Sequence, residues 1–394
     1  MAARKQTVQP VQPERVWLDF RSHEALTREV GEEIDEPIRN NLSVIKQSGT
    51  CLWAASDETA TIERLVTEDW QSFGRHTPFK LADYFDLPVE GEVDIEGLAL
   101  DGDYLWVCGS HSLKRRKPDP HKNGMEEALE RLTEVVCEPN RYLLGRIPLV
   151  REGETGVHTL CRTAPSPDGN GELRAARLKM DPGGANALTK ALRDDEHLAR
   201  FMAVPAKENG FDIEGVAVRG SRVFLGMRGP VLRGWATILE LELEAKDKGK
   251  GKKADVLKLR RIGTGGERYR KHFLDLDGLG IRELSLDGDD LLILAGPTMD
   301  LDGPVVLYRW CDAWNQQDET VIPRDRLERV MVIPNGIGYD HAEGVTLFSR
   351  PGRPPALLVV YDNPGPDRLA PDGAGVAADL FPMPSKKSAD TIEV

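Results

Sequence analysis

The feature that most constrains this chain is a short phrase that recurs three times: Asp94-Ile-Glu-Gly-Leu-Ala-Leu100, Asp212-Ile-Glu-Gly-Val-Ala-Val218 and His341-Ala-Glu-Gly-Val-Thr-Leu347. Each copy is followed by a turn and a second apolar run, which marks a repeated β-unit rather than a single active-site motif. A fourth copy, Ile281-Arg-Glu-Leu-Ser-Leu286, keeps the frame and puts Arg282 where the others carry Glu96, Glu214 and Glu343.

Short strands group in fours around these phrases. Residues 42–47, 50–55, 59–67 and 73–81 read as one complete unit, and four-stranded units repeated radially make a β-propeller. A second unit takes 94–100, 104–108, 141–149 and an outer strand at 172–178; a third takes 212–218, 223–225, 236–243 and 256–262. The fourth takes 281–286, 291–295, 305–310 and 329–333, and a fifth starts at Glu343 and continues through 356–361 without evident outer strands. An orphan strand at 16–20 is expected to complete that last blade, because closure removes an exposed sheet edge. The expectation is a single all-β propeller domain over 15–362 with five blades; a sixth requires strands hidden in 153–177 or after Asp362. Residues 1–14 read as a flexible arm, 363–394 as a loosely packed tail, and the Lys/Gly run 246–253 as a flexible hairpin tip. Two insertions, near 112–140 and 183–210, carry apolar residues at helical spacing over 124–136 and 185–202.

Composition excludes several classes of function. With 52 Lys+Arg against 65 Asp+Glu the net charge is -13, which argues against a broad phosphate-tracking surface and hence against nucleic acid as a partner. No run of about 18 apolar residues is present and the first residues lack a signal-peptide core, so no membrane is expected and the location reads as cytoplasmic. The five cysteines form no CxxC pair; Cys51 and Cys108 lie in apolar runs and read as reduced core residues. There is no P-loop, GxSxG elbow or HExxH.

In a propeller the loops entering each first strand and leaving each second strand share one face, and both insertions enter there. Loops on a rigid scaffold are where binding evolves, so the mouth of the central channel is the candidate site. Its candidate ligand-binding residues are Asp94, Glu96, His111, Asp212, Glu214, Arg228, Arg233, Arg282, His341 and Glu343, with Asp57, Ser110, Thr298 and Asp362 on the same rim. Three readings stand side by side. Glu96, Glu214 and Glu343 can stitch the blades together by pairing with Arg228 and Arg282. They can hold a cation, Ca²⁺ above all, since hard cations take oxygen ligands. Alternatively Arg228, Arg233 and Arg282 form a pocket for a small anionic ligand. His341, in the position of Asp94 and Asp212, is a general base or ligand, or a hydrogen-bonded structural residue.

With these residues in hand, the chain resembles the bacterial family catalogued as domain of unknown function 3616, in the β-propeller group. The resemblance rests on Asn209-Gly-Phe-Asp-Ile-Glu-Gly-Val-Ala-Val218, Gly226-Met-Arg-Gly-Pro-Val-Leu-Arg-Gly-Trp235, Gly280-Ile-Arg282 and Ala295-Gly-Pro-Thr-Met-Asp-Leu-Asp-Gly-Pro304, and spans about 42–362. It implies a propeller and no activity. At the level of the repeat the chain is also similar to phytase-like esterase propellers and, more distantly, to calcium-activated nucleotidases with metal at the channel mouth. The leading expectation is a recognition module binding a ligand or protein partner at that mouth. The alternative is a calcium-dependent hydrolase of a phosphate ester or other ester, with Glu96, Glu214 and Glu343 on the metal.

Overall fold

A computed structural model describes residues 12–31, 36–153, 156–169, 171–246, 254–299 and 301–383. Its strands form five four-stranded blades whose first strands each touch the first strands of both neighbours, closing a ring. Blade 1 is Leu42–Ser48, Cys51–Ser56, Thr61–Val66 and Ser72–Lys80. Blade 2 is Ile95–Asp101, Tyr104–Gly109, Leu144–Glu152 and Ala176–Leu178. Blade 3 is Asp212–Arg219, Arg222–Gly229, Trp235–Lys246 and Arg270–Asp275. Blade 4 is Gly280–Asp287, Asp290–Gly296, Val305–Trp310 and Glu328–Ile333. Blade 5 is His341–Phe348, Ala356–Asp362, Gly375–Pro382 and, as its outermost strand, Glu14–Asp19 from the other end of the chain.

Strand alternation explains why this sequence makes blades. Successive side chains point to opposite faces of a strand, so each strand feeds the two interfaces that flank its blade. Cys51 and Trp53 enter the apolar cluster between blades 1 and 2, whereas Leu52 and Ala54 enter the one between blades 5 and 1. Five such clusters line the five interfaces, so the core is a ring of seams rather than a central ball. Cys51 and Cys108 are buried in these seams as free thiols.

The repeated glycines sit where adjacent first strands approach most closely. A Cβ on Gly215 would lie 2.8 Å from the Leu284 backbone nitrogen of blade 4, and one on Gly344 would lie 3.0 Å from that of Ile45 in blade 1. Blade 4 has Glu283 at this position, and its carboxylate lies 3.0 Å from Lys46 Nζ, which also donates to the carbonyls of Leu284 and Val345. That ion pair runs from blade 1 across to blades 4 and 5, so the channel is bridged beneath its mouth.

Three expectations are corrected. The outer strand of blade 3 is Arg270–Asp275; the run read as that strand, now Asp255–Leu259, pairs with the far end of Trp235–Lys246 and, in parallel, with Ala176–Leu178 of blade 2. The span read as a loose tail contains the buried third strand of blade 5, Gly375–Pro382, which pairs with both Ala356–Asp362 and Glu14–Asp19. The two helical spans shrink to Met125–Arg131 in the first insertion, preceded by a further short helix at Pro120–Asn123, and Ala187–Ala191 in the second. Leu129 and Leu132 are exposed, while Leu188 and Leu192 are buried. Residues 1–11 of the proposed arm and 247–253 of the Lys/Gly loop lie outside the described residues.

Candidate functional site

In every blade the pairing of the first two strands slips by one residue at the same place, leaving one extra residue on the first strand. The extra residues are Ser43, Glu96, Glu214, Arg282 and Glu343. A bulge re-aims the side chain it leaves unpaired, and here it marks the residue type that the repeat singles out. The ring thus has a fifth member, Ser43, whose hydroxyl donates to the Ile95 carbonyl of blade 2 at 2.7 Å. Just before the bulges stand Asp94, Asp212 and His341; at the ends of second strands stand Asp57, Arg228 and Asp362.

Blades 3, 4 and 5 pair their charges. Arg228 reaches Asp212 at 2.6 Å and Glu214 at 2.7 Å. Arg282 reaches Glu343 at 2.7 Å and Glu214 at 3.4 Å, and donates to the Pro297 carbonyl at 3.0 Å. Burial pushes the Glu214 carboxyl up to about 8 even with two guanidinium groups pulling the other way. His341 is held by Asp302, 3.1 Å from its Nε2.

Blades 1 and 2 are arranged differently. Asp57, Asp94 and Glu96 each offer an oxygen atom within 4.8 Å of the others. Asp94 is paired with Arg141 at 2.6 Å, and Arg141 also binds Glu92 at 3.2 Å and Glu138 at 2.5 Å, fastening the first insertion to the mouth. Asp57 and Glu96 form no ion pair among the described residues. Burial, followed by the charges of Asp94, Glu343 and Asp362, pushes the Asp57 carboxyl well above its usual range. Burial, followed by Glu214, Asp94, Asp57 and Glu343, does the same to Glu96. Burial and Glu343 raise Asp362 to about 7, against the pull of His341 and Lys207. The mouth therefore gathers seven carboxylates, those of Asp57, Asp94, Glu96, Asp212, Glu214, Glu343 and Asp362, against the guanidinium groups of Arg141, Arg228 and Arg282. Such a set cannot stay fully ionised in a partly closed site; it must take up protons or a cation.

Two predicted site residues are not brought to this cluster. His111 is buried with Nδ1 2.7 Å from the Gly109 carbonyl and Nε2 2.7 Å from the Asn186 amide, and burial lowers its imidazole to about 4. It is a neutral structural histidine holding the second insertion. Arg233 is exposed at the tip of the turn before Trp235 and makes no ion pair among the described residues. The three glutamates proposed as metal ligands are divided: Glu214 and Glu343 share Arg282, and Glu96 stands with Asp57 and Asp94. Sequence reading missed Lys207 in the second insertion and the role of Arg141, which it took as the first residue of a strand but which lies before that strand, in Pro139–Tyr142. Beside the paired half a cleft of about 50 Å³ opens between blades 4 and 5, where Lys207, Arg228 and Arg282 meet Glu343 and Asp362, with Met299 and Leu301 at its edge.

The family model described as "Protein of unknown function (DUF3616)" matches residues 41–379. The chain belongs to that family. This DUF3616 protein matches none of the curated proteins. Among solved structures it is similar to the glutaminyl cyclase of Myxococcus xanthus, at 11% identity over 94% of this chain and 99% of that one, with a TM-score of 0.34. The PQQ-bound aldose sugar dehydrogenase of Streptomyces coelicolor is 12% identical over 89% of this chain and 97% of that one, with a TM-score of 0.34. The β-propeller domain of Cps50 (Swd1) from Myceliophteria thermophila is 12% identical over 89% and 99%, with a TM-score of 0.31. The blade count rests on the strand pairing described above. No helix of the described residues is long and apolar enough to cross a membrane.

Proposed function

We propose that this DUF3616 propeller is a recognition module that binds a divalent cation between Asp57, Asp94 and Glu96 and presents its channel mouth to a ligand or protein partner. The observation that carries this reading is the corner itself. Asp57 and Glu96 face other carboxylates and no cationic side chain within ion-pair distance among the described residues, in a site where an unpaired charge costs several kcal/mol. The donors are all carboxylate oxygens, which suits Ca²⁺ or Mg²⁺ rather than zinc, a metal that prefers nitrogen and sulfur. Ca²⁺ is the better fit, because three carboxylates from two blades offer an adaptable oxygen set, whereas Mg²⁺ demands near-ideal octahedral geometry and keeps its waters. A reducing cytosol is the expected location, with Cys51 and Cys108 buried as thiols between the blades.

The test is a thermal melt after EDTA treatment, with and without CaCl₂ or MgCl₂, on the wild type, Asp57→Asn and Glu96→Gln. A cation-dependent rise in midpoint that both variants lose supports the reading; no rise in the wild type contradicts it.

A second reading has its own support in the contiguity of that corner with the arginine-lined cleft. Hydrolysis of an anionic ester needs both: a bound cation supplies Lewis-acid polarisation, and this chain's Arg228 and Arg282 would steady the negative charge that develops. Turnover of nucleotides, phosphomonoesters or lactones that requires Ca²⁺ would establish it, and inactivity across that panel would remove it.

A further inference from the structure

We infer that the helix Met125–Arg131 of the first insertion docks a basic amphipathic helix of a partner protein, beside the channel mouth. The inference rests on the mouth face meeting a protein partner, as proposed above, and not on the cation.

This helix is inverted for a protein surface. An amphipathic helix ordinarily turns its large apolar side chains inward and its charges outward. Here the buried residue is Ala128, while Met125 is 68% exposed, Leu129 60% and Leu132, which caps the helix, 46%. Residues at i, i+4 and i+7 stack into one ridge, and Val135, 43% exposed, follows on the short strand beyond. These are four of the eleven large apolar side chains exposed among the described residues, so apolar surface is concentrated here rather than scattered. The ridge is also held ready. A seven-residue helix is marginal alone, but Arg115 donates to the Leu132 carbonyl at 2.6 Å and pairs with Glu208 of the second insertion at 3.0 Å. Such pre-organisation lowers the cost of binding.

Charge along the helix selects the occupant. The hollow on its flank is lined by Glu126, Glu127, Glu130 and Glu134 with Arg116 and Arg131. Arg131 pairs with Glu127 at 2.9 Å and Arg116 with Glu134 at 2.8 Å, so both cations are taken. Glu126 and Glu130, four residues apart on one side of the ridge, form no ion pair among the described residues, and Lys117 and Lys122 of the same insertion lie outside that lining. The flank therefore keeps two negative charges beside the three apolar side chains of the helix. A helix with leucines on one face and lysines or arginines four apart beside them matches both features. An antiparallel second copy would set these glutamates against their own symmetry mates, and an anionic lipid surface would repel them.

The experiment titrates two synthetic helical peptides into the full-length protein by calorimetry at low salt: one of leucine and lysine with its leucines at helical spacing, and the same peptide with glutamate for each lysine. CaCl₂ is titrated in parallel. The basic peptide should bind tighter. Leu129→Ser with Leu132→Ser should weaken it by about tenfold or more, since two leucines covered on binding are worth at least that, whereas Leu301→Ser, at the other exposed apolar rim, should change nothing. Glu126→Lys with Glu130→Lys should lower the preference for the basic over the acidic peptide by about tenfold, while Glu244→Lys with Asp318→Lys, on the opposite face, should leave it as it is. All these positions are exposed, so the variants should fold. Equal losses of preference from the two charge-reversed pairs would overturn the inference, because attraction would then follow net charge alone. So would no binding of the basic peptide, its indifference to Leu129→Ser with Leu132→Ser, or self-association or capture of phosphatidylcholine vesicles that this pair abolishes. A Ca²⁺ response without peptide binding defeats this inference alone, whereas peptide binding that follows these variants without any Ca²⁺ response defeats only the cation reading.

Discussion

The two halves of the channel mouth use the same repeat in opposite ways. Glu214 and Glu96 occupy equivalent bulges, yet Glu214 is gripped by Arg228 and Arg282 while Glu96 meets Asp57 and Asp94. The difference lies in what neighbouring positions supply. The second strand of blade 3 carries Arg228 and blade 4 carries Arg282 in place of the repeated Glu, whereas Asp57 follows the second strand of blade 1 and Ser43 fills its bulge. One half thereby becomes an ion-paired seam, and the other leaves Asp57 and Glu96 without an ion pair among the described residues.

The largest expected effect breaks the paired half. Arg282→Met leaves Glu214 and Glu343 without a shared partner and should lower unfolding stability by about 3–5 kcal/mol in urea denaturation. Glu96→Gln in EDTA should cost nothing or stabilise, because it removes a charge among like charges. Equal losses in the two variants would erase the distinction between the halves.

Packing gives a smaller contrast of the same kind. Gly215→Ala drives a Cβ toward the Leu284 backbone and should cost about 1–3 kcal/mol. Gly97→Ala meets side-chain atoms of Val216 and Cys108 rather than backbone, and should cost less in the same assay.

Protonation sharpens the comparison further. Glu214 and Asp362 titrate at about 8 and about 7 in the folded protein, above their unfolded values near 4. A carboxyl raised on folding contributes stability in full below its unfolded value and loses it as pH rises through the folded one. Metal-free protein should therefore lose stability between about pH 4 and pH 8 through these groups. Any Ca²⁺ response should grow as pH rises, because Asp57 and Glu96, both pushed above the usual carboxylate range by burial and neighbouring carboxylates, must be deprotonated to hold the metal. Melts at stepped pH in EDTA and in CaCl₂ check both signs. The smallest effect is none: Arg233→Ala, at an exposed turn outside the cluster, should leave the melt and the Ca²⁺ response unchanged.

Much of the fold was legible because propeller strands carry apolar residues on both faces, and runs such as 51–56 and 291–295 announce themselves. Two strands were not. Arg270–Asp275 hides its register because its buried residues are polar: Lys271 lies 2.7 Å from Asp195, and His272 lies 2.9 Å from Glu240. Gly375–Pro382 follows a Pro/Gly/Asp-rich loop that reads as a tail, and its buried Asp379 accepts hydrogen bonds at Oδ2 from Tyr361 and Arg368, each at 2.8 Å. At the site, the repeat revealed the ring of Glu96, Glu214, Arg282 and Glu343. It did not reveal how the ring divides, since that depends on Asp57 and on Arg141, neither of which the repeated phrase contains.

The most direct measurement of the central claim is the midpoint of EDTA-stripped protein with and without Ca²⁺, compared among wild type, Asp57→Asn and Glu96→Gln. A site filled at 100 times its Kd stabilises the fold by about 2.7 kcal/mol. The account predicts that shift in the wild type and its loss in both variants. An unshifted wild type, or variants that shift as much as it does, would contradict the claim that the corner formed by Asp57, Asp94 and Glu96 is a cation site.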